Sequence, residues 1–435
     1  MTLLEQIAFN TAPGSSYEED EPSPLKVKAP PVQLIAFYLP QFHPIPENDA
    51  WWGKGFTEWT NVTKAVPRFA GHYQPRLPGE LGFYNLTQPD MLRRQAAMAR
   101  KYGVSGFCFH HYWFSGRRLL EQPIELLLSN TDIDMPFCIN WANESWTRRW
   151  DGYEKNILMQ QAYSAEDDIA FARSLEPFFR DRRYIRINGR PLLMLYRPGV
   201  LPDPVATVER WRRHFTEAGL GNPYITMAQA FGDGDPVKYG MDAAVGFPPF
   251  WAESPKLHQL ELLDPRYDGT VVDYNIMADA TIAGYATNNR VFPGICPSWD
   301  NEARKPGKGS CFTGSTPNAY GRWLEAACAA SVQAFPSDER LVFINAWNEW
   351  AEGAYLEPDR HFGYAYLAQT ARVLNGLDEA TLRQIQLPTV AAYTQQASAT
   401  SSKPSVRRRV RRLARRTLNR IAAFADNVSY RLRNY

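Results

Sequence analysis

Eight short apolar runs recur along the chain, each separated from the next by a polar stretch, usually of helical spacing. This alternation constrains the fold more than any other feature. The runs occupy residues 32–39, 104–109, 137–141, 191–196, 224–229, 243–247, 291–296 and 341–346. Each is rich in β-branched or aromatic residues, as a strand buried on both faces must be. Between them the spacing predicts helices over 88–102, 119–128, 165–180, 205–218, 272–286 and 316–334. Pro89 suits a first helical turn, and Gly103 and Gly219 suit helix C-caps. The fifth crossover, around residues 235–239, is short. Strands alternating with helices predict right-handed parallel connections, hence an α/β fold: a (β/α)8 TIM-type barrel or a doubly wound open sheet. The barrel is favoured because polar and aromatic clusters follow strand after strand. In a barrel every strand exit converges on one face; in an open sheet only those near the switch point do.

The clusters are explicit. Tyr38 ends the first run, and Trp52, Glu58 and Trp59 follow it. His110, His111 and Trp113 continue the second run; Trp141, Asn143, Glu144, Trp146 and Arg148 continue the third; Trp299 and Asp300 close the seventh. The eighth leads into Trp347-Asn348-Glu349-Trp350-Ala351-Glu352-Gly353. Flat rings with a polar edge stack on the C–H faces of sugars, and carboxylates, amides and Arg bind vicinal hydroxyls. All these residues are therefore candidates for substrate contact, although any one cluster could instead pack a helix onto the barrel.

Glu349 and Glu352 are the sharpest pair. Glycosidic chemistry needs one group to protonate the leaving oxygen and a second acting from the ring side. Two carboxylates three residues apart at a strand exit can face one pocket, and their proximity would separate their proton affinities into an acid and a base. Read alone, the same spacing fits two solvated glutamates at a helix start. Glu144 and Arg148 could pair with each other or contact substrate. His110 and His111 lack a third ligand at metal spacing, so no metal is expected. Asp132-Ile133-Asp134 precedes a strand and falls on the stability face of a barrel. Asp233-Gly234-Asp235 follows the fifth strand; it could hold a divalent ion, but fits a turn better. There is no Walker motif or strand-linked glycine fingerprint, and no cofactor is expected. The five cysteines are odd in number and show no CxxC spacing, which argues against a disulfide framework.

The blocks Phe37-Tyr38-Leu39-Pro40-Gln41-Phe42-His43, Gly106-Phe107-Cys108-Phe109-His110-His111-Tyr112-Trp113-Phe114, Asn140-Trp141-Ala142-Asn143-Glu144-Ser145-Trp146-Thr147-Arg148-Arg149-Trp150 and Asn348-Glu349-Trp350-Ala351-Glu352-Gly353 resemble the WbsX family, described as glycosyltransferase WbsX or as glycoside hydrolase family 99-like. The resemblance spans about residues 32–375; this chain has Ser145 where Asn is commoner in the family. It implies a (β/α)8 barrel working on surface polysaccharide such as O-antigen. The Asn-Glu-Trp-x-Glu-Gly segment is similar to that of endo-acting α-mannosidases. By that likeness, Glu349 would draw the proton from the sugar's own 2-hydroxyl, and that oxygen would form a 1,2-anhydro sugar. Glu352 would protonate the leaving oxygen and then activate water or an acceptor, with net retention. The competing readings are a sugar-nucleotide glycosyltransferase and a non-catalytic sugar-binding barrel.

The ends differ from the middle. Residues 1–30 read as a flexible arm, 31–378 as the catalytic barrel, 379–402 as a linker and 403–435 as a basic helix. From 403 to 435 there are eleven Lys or Arg and one acid, Asp426, so the segment carries +10 of a net +2 and leaves −8 elsewhere. From Val406, residues Val410, Leu413, Thr417 (a weakly apolar member), Ile421, Phe424, Val428 and Leu432 recur at helical steps, with arginines between. Such a helix suits an anionic membrane surface; docking on the acidic body is the alternative, and nucleic acid is not expected because stacking aromatics are few. Residues 1–14 lack a basic start followed by an apolar run. The expected location is therefore cytoplasmic, peripheral on the inner membrane face.

Overall fold

The computed structural model describes residues 2–148, 153–249, 257, 259–285, 290–391 and 393. The chain divides into two units, 1–387 and 388–435. The helix expected over 403–435 lies outside the described residues.

In the first unit the eight strands are β1 (Gln33–Tyr38), β2 (Val104–Phe114), β3 (Phe137–Trp141), β4 (Arg190–Leu195), β5 (Tyr224–Gln229), β6 (Ala243–Gly246), β7 (Val291–Phe292 continued by Gly294–Ile295) and β8 (Leu341–Ile344). All are parallel, and each pairs with its neighbours in chain order until β8 meets β1 and closes the ring. Strand β7 breaks at Pro293, which has no N–H to give a ladder. Its first half pairs with β6 and its second with β8. The seam is tight: a Cβ on Gly294 would lie 1.7 Å from the Gly246 carbonyl oxygen, so only glycine fits. The intervening helices are α1 (Pro89–Lys101), α2 (Gln122–Ser129), α3 (Ala165–Arg180), α4 (Pro204–Glu217), α5 (Tyr274–Tyr285) and α6 (Pro317–Ala334), with α7 (Ala365–Gly376) after β8. A single 3-10 turn, Val237–Tyr239, stands for the helix between β5 and β6. The structure is the expected TIM-type barrel. Strand β2 runs past its expected end because it folds back on Arg117–Leu119 as a hairpin.

Both ends of this unit differ from expectation. Within the stretch read as a flexible arm, Leu3–Thr11 is helical, with a Thr2–Glu5 capping box. Asn10 donates to the carbonyls of His72 (2.8 Å) and Gln74 (2.9 Å), and Gln6 accepts from Gly71 N–H (2.7 Å). Farther on, Glu18 pairs with Arg372, and Asn375 accepts from the backbone N–H groups of Lys26 and Val27. At the other end, 379–387 is not linker. A short helix, Glu379–Gln384, buries Leu382, Gln333 donates to Leu382 and Ile385 carbonyls, and Arg340 pairs with Glu379. Polar residues make these contacts, so an apolar-pattern reading passes over them.

Candidate active site

The turn after β8 brings the two glutamates together. Asn348–Glu349 pairs antiparallel with Ala354–Tyr355 around a 3-10 turn, Trp350–Glu352, closed by Gly353 at φ 60°. Asn348 ties this turn to β1, accepting from Leu39 N–H at 2.8 Å and donating to Leu39 carbonyl at 3.0 Å. Glu349 and Glu352 both line a cavity of about 320 Å³ at the strand exits.

One cation joins them. Arg304, in the loop after β7, donates to Glu352 through Nη1 and to Glu349 through Nη2 at 3.0 Å. It also bonds both oxygens of the fully buried Glu58, each at 3.1 Å. Its loop is pinned by Glu302, which accepts from Gly307 N–H at 2.9 Å and from Arg68. Burial opposes the charge on Arg304, yet Glu58, Glu352 and Glu349 keep it protonated well above its ordinary value. Burial likewise raises both glutamates against the pull of Arg304, Glu349 to about 8. His110, 3.8 Å from Glu349, is pushed down to about 4 by burial and the Arg304 charge, so it is neutral at pH 7. The result is a largely buried pair of carboxyl groups retaining a proton near neutrality, beside a fixed cation and a neutral imidazole. Such a pair can give a proton on one side of a bound molecule and take one on the other.

Strand alternation sorts the other candidates. On β2, His110 and Tyr112 face the cavity, while His111 packs against Phe171 and Phe178 of α3. Trp113 also turns away and donates to Asp167 at 3.0 Å. Trp141 stacks on Phe171 at 4.4 Å and is 1% exposed, so it is a core residue and not a substrate contact. Trp347 and Trp350 are buried; Trp350 donates to Glu357 at 2.6 Å. Trp59 donates to the Tyr84 carbonyl, and Tyr38 donates to Gln95. The side chain of Asn143 bonds Arg197 backbone N–H and carbonyl, and Asp300 bonds His72 and Gln74. None of these lines the cavity. Of the expected contacts, Trp52, His110, Glu144, Trp146 and Trp299 line it together with Glu349 and Glu352. Glu58 reaches the site through Arg304. Glu144 pairs with Arg197 at 2.5 Å; the side chain of Arg148 lies outside the described residues. On the strands the cause is alternation: His111 and Trp113 were read with their neighbours as one cluster, whereas successive strand residues face opposite sides.

The family model described as Glycosyltransferase WbsX matches residues 34–370. The chain belongs to the WbsX family. The uncharacterized protein WxcX of Xanthomonas campestris pv. campestris, from two strains, is 48% identical over 345 residues, covering 79% of this chain and 50% of the relative. The chain thus spans about half the length of the curated relatives it matches. Among solved structures, a glycoside hydrolase-like protein aligns with TM-score 0.51 and 15% identity, over 82% of this chain and 98% of that one. This likeness concerns the fold. A GH99 endo-alpha-mannosidase from Bacteroides thetaiotaomicron aligns with TM-score 0.48 and 16% identity, over 81% of this chain and 99% of that one.

In this WbsX-family chain, sequence reasoning missed Arg304 and several rim residues, among them Trp51, Tyr196 and Phe231. Arg304 follows the seventh strand exit within ten residues, and that position was the available signal. Asp233 and Asp235 form a turn: Asp235 accepts from Val237 N–H, and Asp233 from the Tyr239 hydroxyl. His72, Asp300 and Cys311 come together off the main cavity, but both His72 ring nitrogens are engaged, one by Arg68 N–H and the other by Asp300.

Proposed function

We propose that this WbsX-family protein is a retaining carbohydrate-active enzyme that cleaves or transfers glycosidic bonds through a 1,2-anhydro sugar, in metabolism of surface polysaccharide. The observation that carries the reading is the Glu349–Glu352 pair in one cavity, bridged by Arg304 and raised in proton affinity by burial. In the first step Glu349 accepts the proton of the sugar's 2-hydroxyl. Its oxygen forms a bond to the anomeric carbon as the leaving oxygen departs and takes a proton from Glu352. In the second step Glu352 accepts a proton from water or an acceptor hydroxyl, whose oxygen bonds to the anomeric carbon. The C1–O2 bond of the anhydro sugar breaks, and O2 recovers its proton from Glu349. Two inversions give retention. In the ligand-free site, burial favours the proton on Glu349. A 2-hydroxyl donating to Glu349 favours its charged form, and a leaving oxygen accepting from Glu352 favours its neutral form. The chemistry needs a 2-hydroxyl trans to the leaving group.

Incubation with radiolabelled sugar nucleotides and, separately, with defined oligosaccharides tests this reading. Release or exchange from an oligosaccharide with retained configuration is expected. Turnover of a sugar nucleotide alone would instead favour a glycosyltransferase, and tight binding without turnover a sugar-binding barrel. The basic amphipathic pattern of residues 406–433 supports a peripheral position on an anionic membrane surface, where lipid-linked saccharides are assembled. Among the described residues no helix is long and apolar enough to cross a membrane. Equal pelleting with anionic vesicles by the full chain and by a chain ending at Ser402 would remove the membrane part of the proposal.

A further inference from the structure

We infer that Glu58 is a positioning residue of this site, acting through Arg304 to hold one cation against both catalytic glutamates and so to set how many protons the pair carries. The inference rests on the reading that Glu349 and Glu352 do the chemistry. Glu58 is fully buried and does not line the cavity, so it cannot touch substrate. A buried carboxylate is costly unless it is paired. Its bonds go to Asn61 Nδ2 at 2.9 Å and to Arg304 Nε and Nη2, each at 3.1 Å. That two-point contact fixes the plane of the guanidinium as a single bond would not. With the plane fixed, Nη1 reaches Glu352 and Nη2 reaches Glu349.

The charges facing Glu349 come from four elements: His110 and Tyr112 of β2, Arg304 of the loop after β7, Glu352 of the turn after β8, and Glu58 of the short helix Glu58–Val62. Lys305 acts on Glu352 from the same loop as Arg304. His110 is neutral at working pH, so the balance lies among three carboxylates and the nearby cations. Removing the Glu58 charge while keeping its shape leaves Arg304 to serve Glu349 and Glu352 alone, and both should release protons at lower pH. Removing the Arg304 charge should do the opposite. A residue that merely supported packing would change stability and leave both titrations in place.

The test is a carboxyl-carbon NMR titration of the full chain labelled with ¹³C-glutamate, with the Glu349 signal assigned by its absence in Glu349→Gln. The wild-type midpoint is expected near 8. It should fall by about one pH unit in Glu58→Gln, stay near the wild-type value in Glu58→Asp, and rise in Arg304→Gln. An unmoved or raised midpoint in Glu58→Gln overturns the inference. Should that variant fail to fold, Arg304→Gln decides in the same titration, and no rise there overturns it. If Glu349→Gln keeps full turnover, the functional reading fails while the titration still judges the link from Glu58 to Glu349.

Discussion

Glu349 and Glu357 lie eight residues apart on the same rim, and both are buried and pushed up by burial, to about 8 and about 7. Their surroundings differ. Glu357 accepts from Trp350 Nε1 (2.6 Å), Gln95 Nε2 (2.6 Å) and the Tyr84 hydroxyl (2.8 Å), all neutral donors, and it is not among the residues lining the main cavity. Glu349 faces the cavity beside a cation and a second carboxylate. A raised proton affinity therefore does not separate chemistry from architecture. Access and an ionic partner are what set Glu349 apart from Glu357.

The contrast can be broken most sharply by amide substitution. Glu349→Gln and Glu352→Gln should each lower turnover by about 10²–10⁴-fold with the melting temperature nearly unchanged. Near-normal turnover in either variant would remove that residue from the mechanism. The tryptophans should divide in the same way. Trp141→Ala should cost about 3–5 kcal/mol of stability in denaturant unfolding, whereas Trp52→Ala and Trp146→Ala should weaken sugar binding and leave the unfolding midpoint close to wild type. Equal destabilisation in all three would erase the distinction between wall and cavity.

Glu357→Gln should do the reverse of Glu349→Gln, losing about 1–3 kcal/mol where an amide group meets donors, with turnover nearly kept. The pH dependence sharpens this further. A carboxyl whose folded proton affinity exceeds its unfolded one costs stability progressively as pH rises from the unfolded value, 4.5, to the folded one, about 7. Over that window the stability of wild type relative to Glu357→Gln should decline. A constant difference across the window would mean that Glu357 is ionised throughout. The smallest effect is expected from chelation. The proposed chemistry uses carboxylates, and the His72–Asp300–Cys311 trio lies off the main cavity. Turnover should survive EDTA; loss restored by Mn²⁺ or Mg²⁺ would instead favour the glycosyltransferase reading.

The barrel was legible because β-branched runs and helix caps follow local rules: Pro89 opens α1, and Gly103 and Gly219 close α1 and α4. The glutamate pair was legible because a strand exit fixes its face. Which tryptophans reach the cavity was not, since Trp113, Trp141 and Trp146 sit in similar composition but on different strands, and the side each one faces depends on its own strand's placement. Arg304 was not legible either. Its partners Glu58, Glu349 and Glu352 come from two distant segments, and nothing in local spacing announces a meeting that only ring closure creates.

The polar seating of the Leu3–Thr11 helix has a consequence for biogenesis. Its apolar residues Leu3 and Leu4 are exposed and Phe9 is only partly covered by His361, while Gln6 and Asn10 dock beside His72 and Gln74. The segment that follows meets residues near the end of the barrel: Gly14 N–H donates to the His361 carbonyl, and Glu18 pairs with Arg372. The helix and the segment after it thus wait for the far end of the barrel to be translated before their seat is complete. Synthesis at about 5–20 residues per second makes that wait tens of seconds. Through that interval the apolar residues of this helix stay available to holdase chaperones, so yield in a foreign host should depend on chaperone supply more than the finished fold alone would suggest.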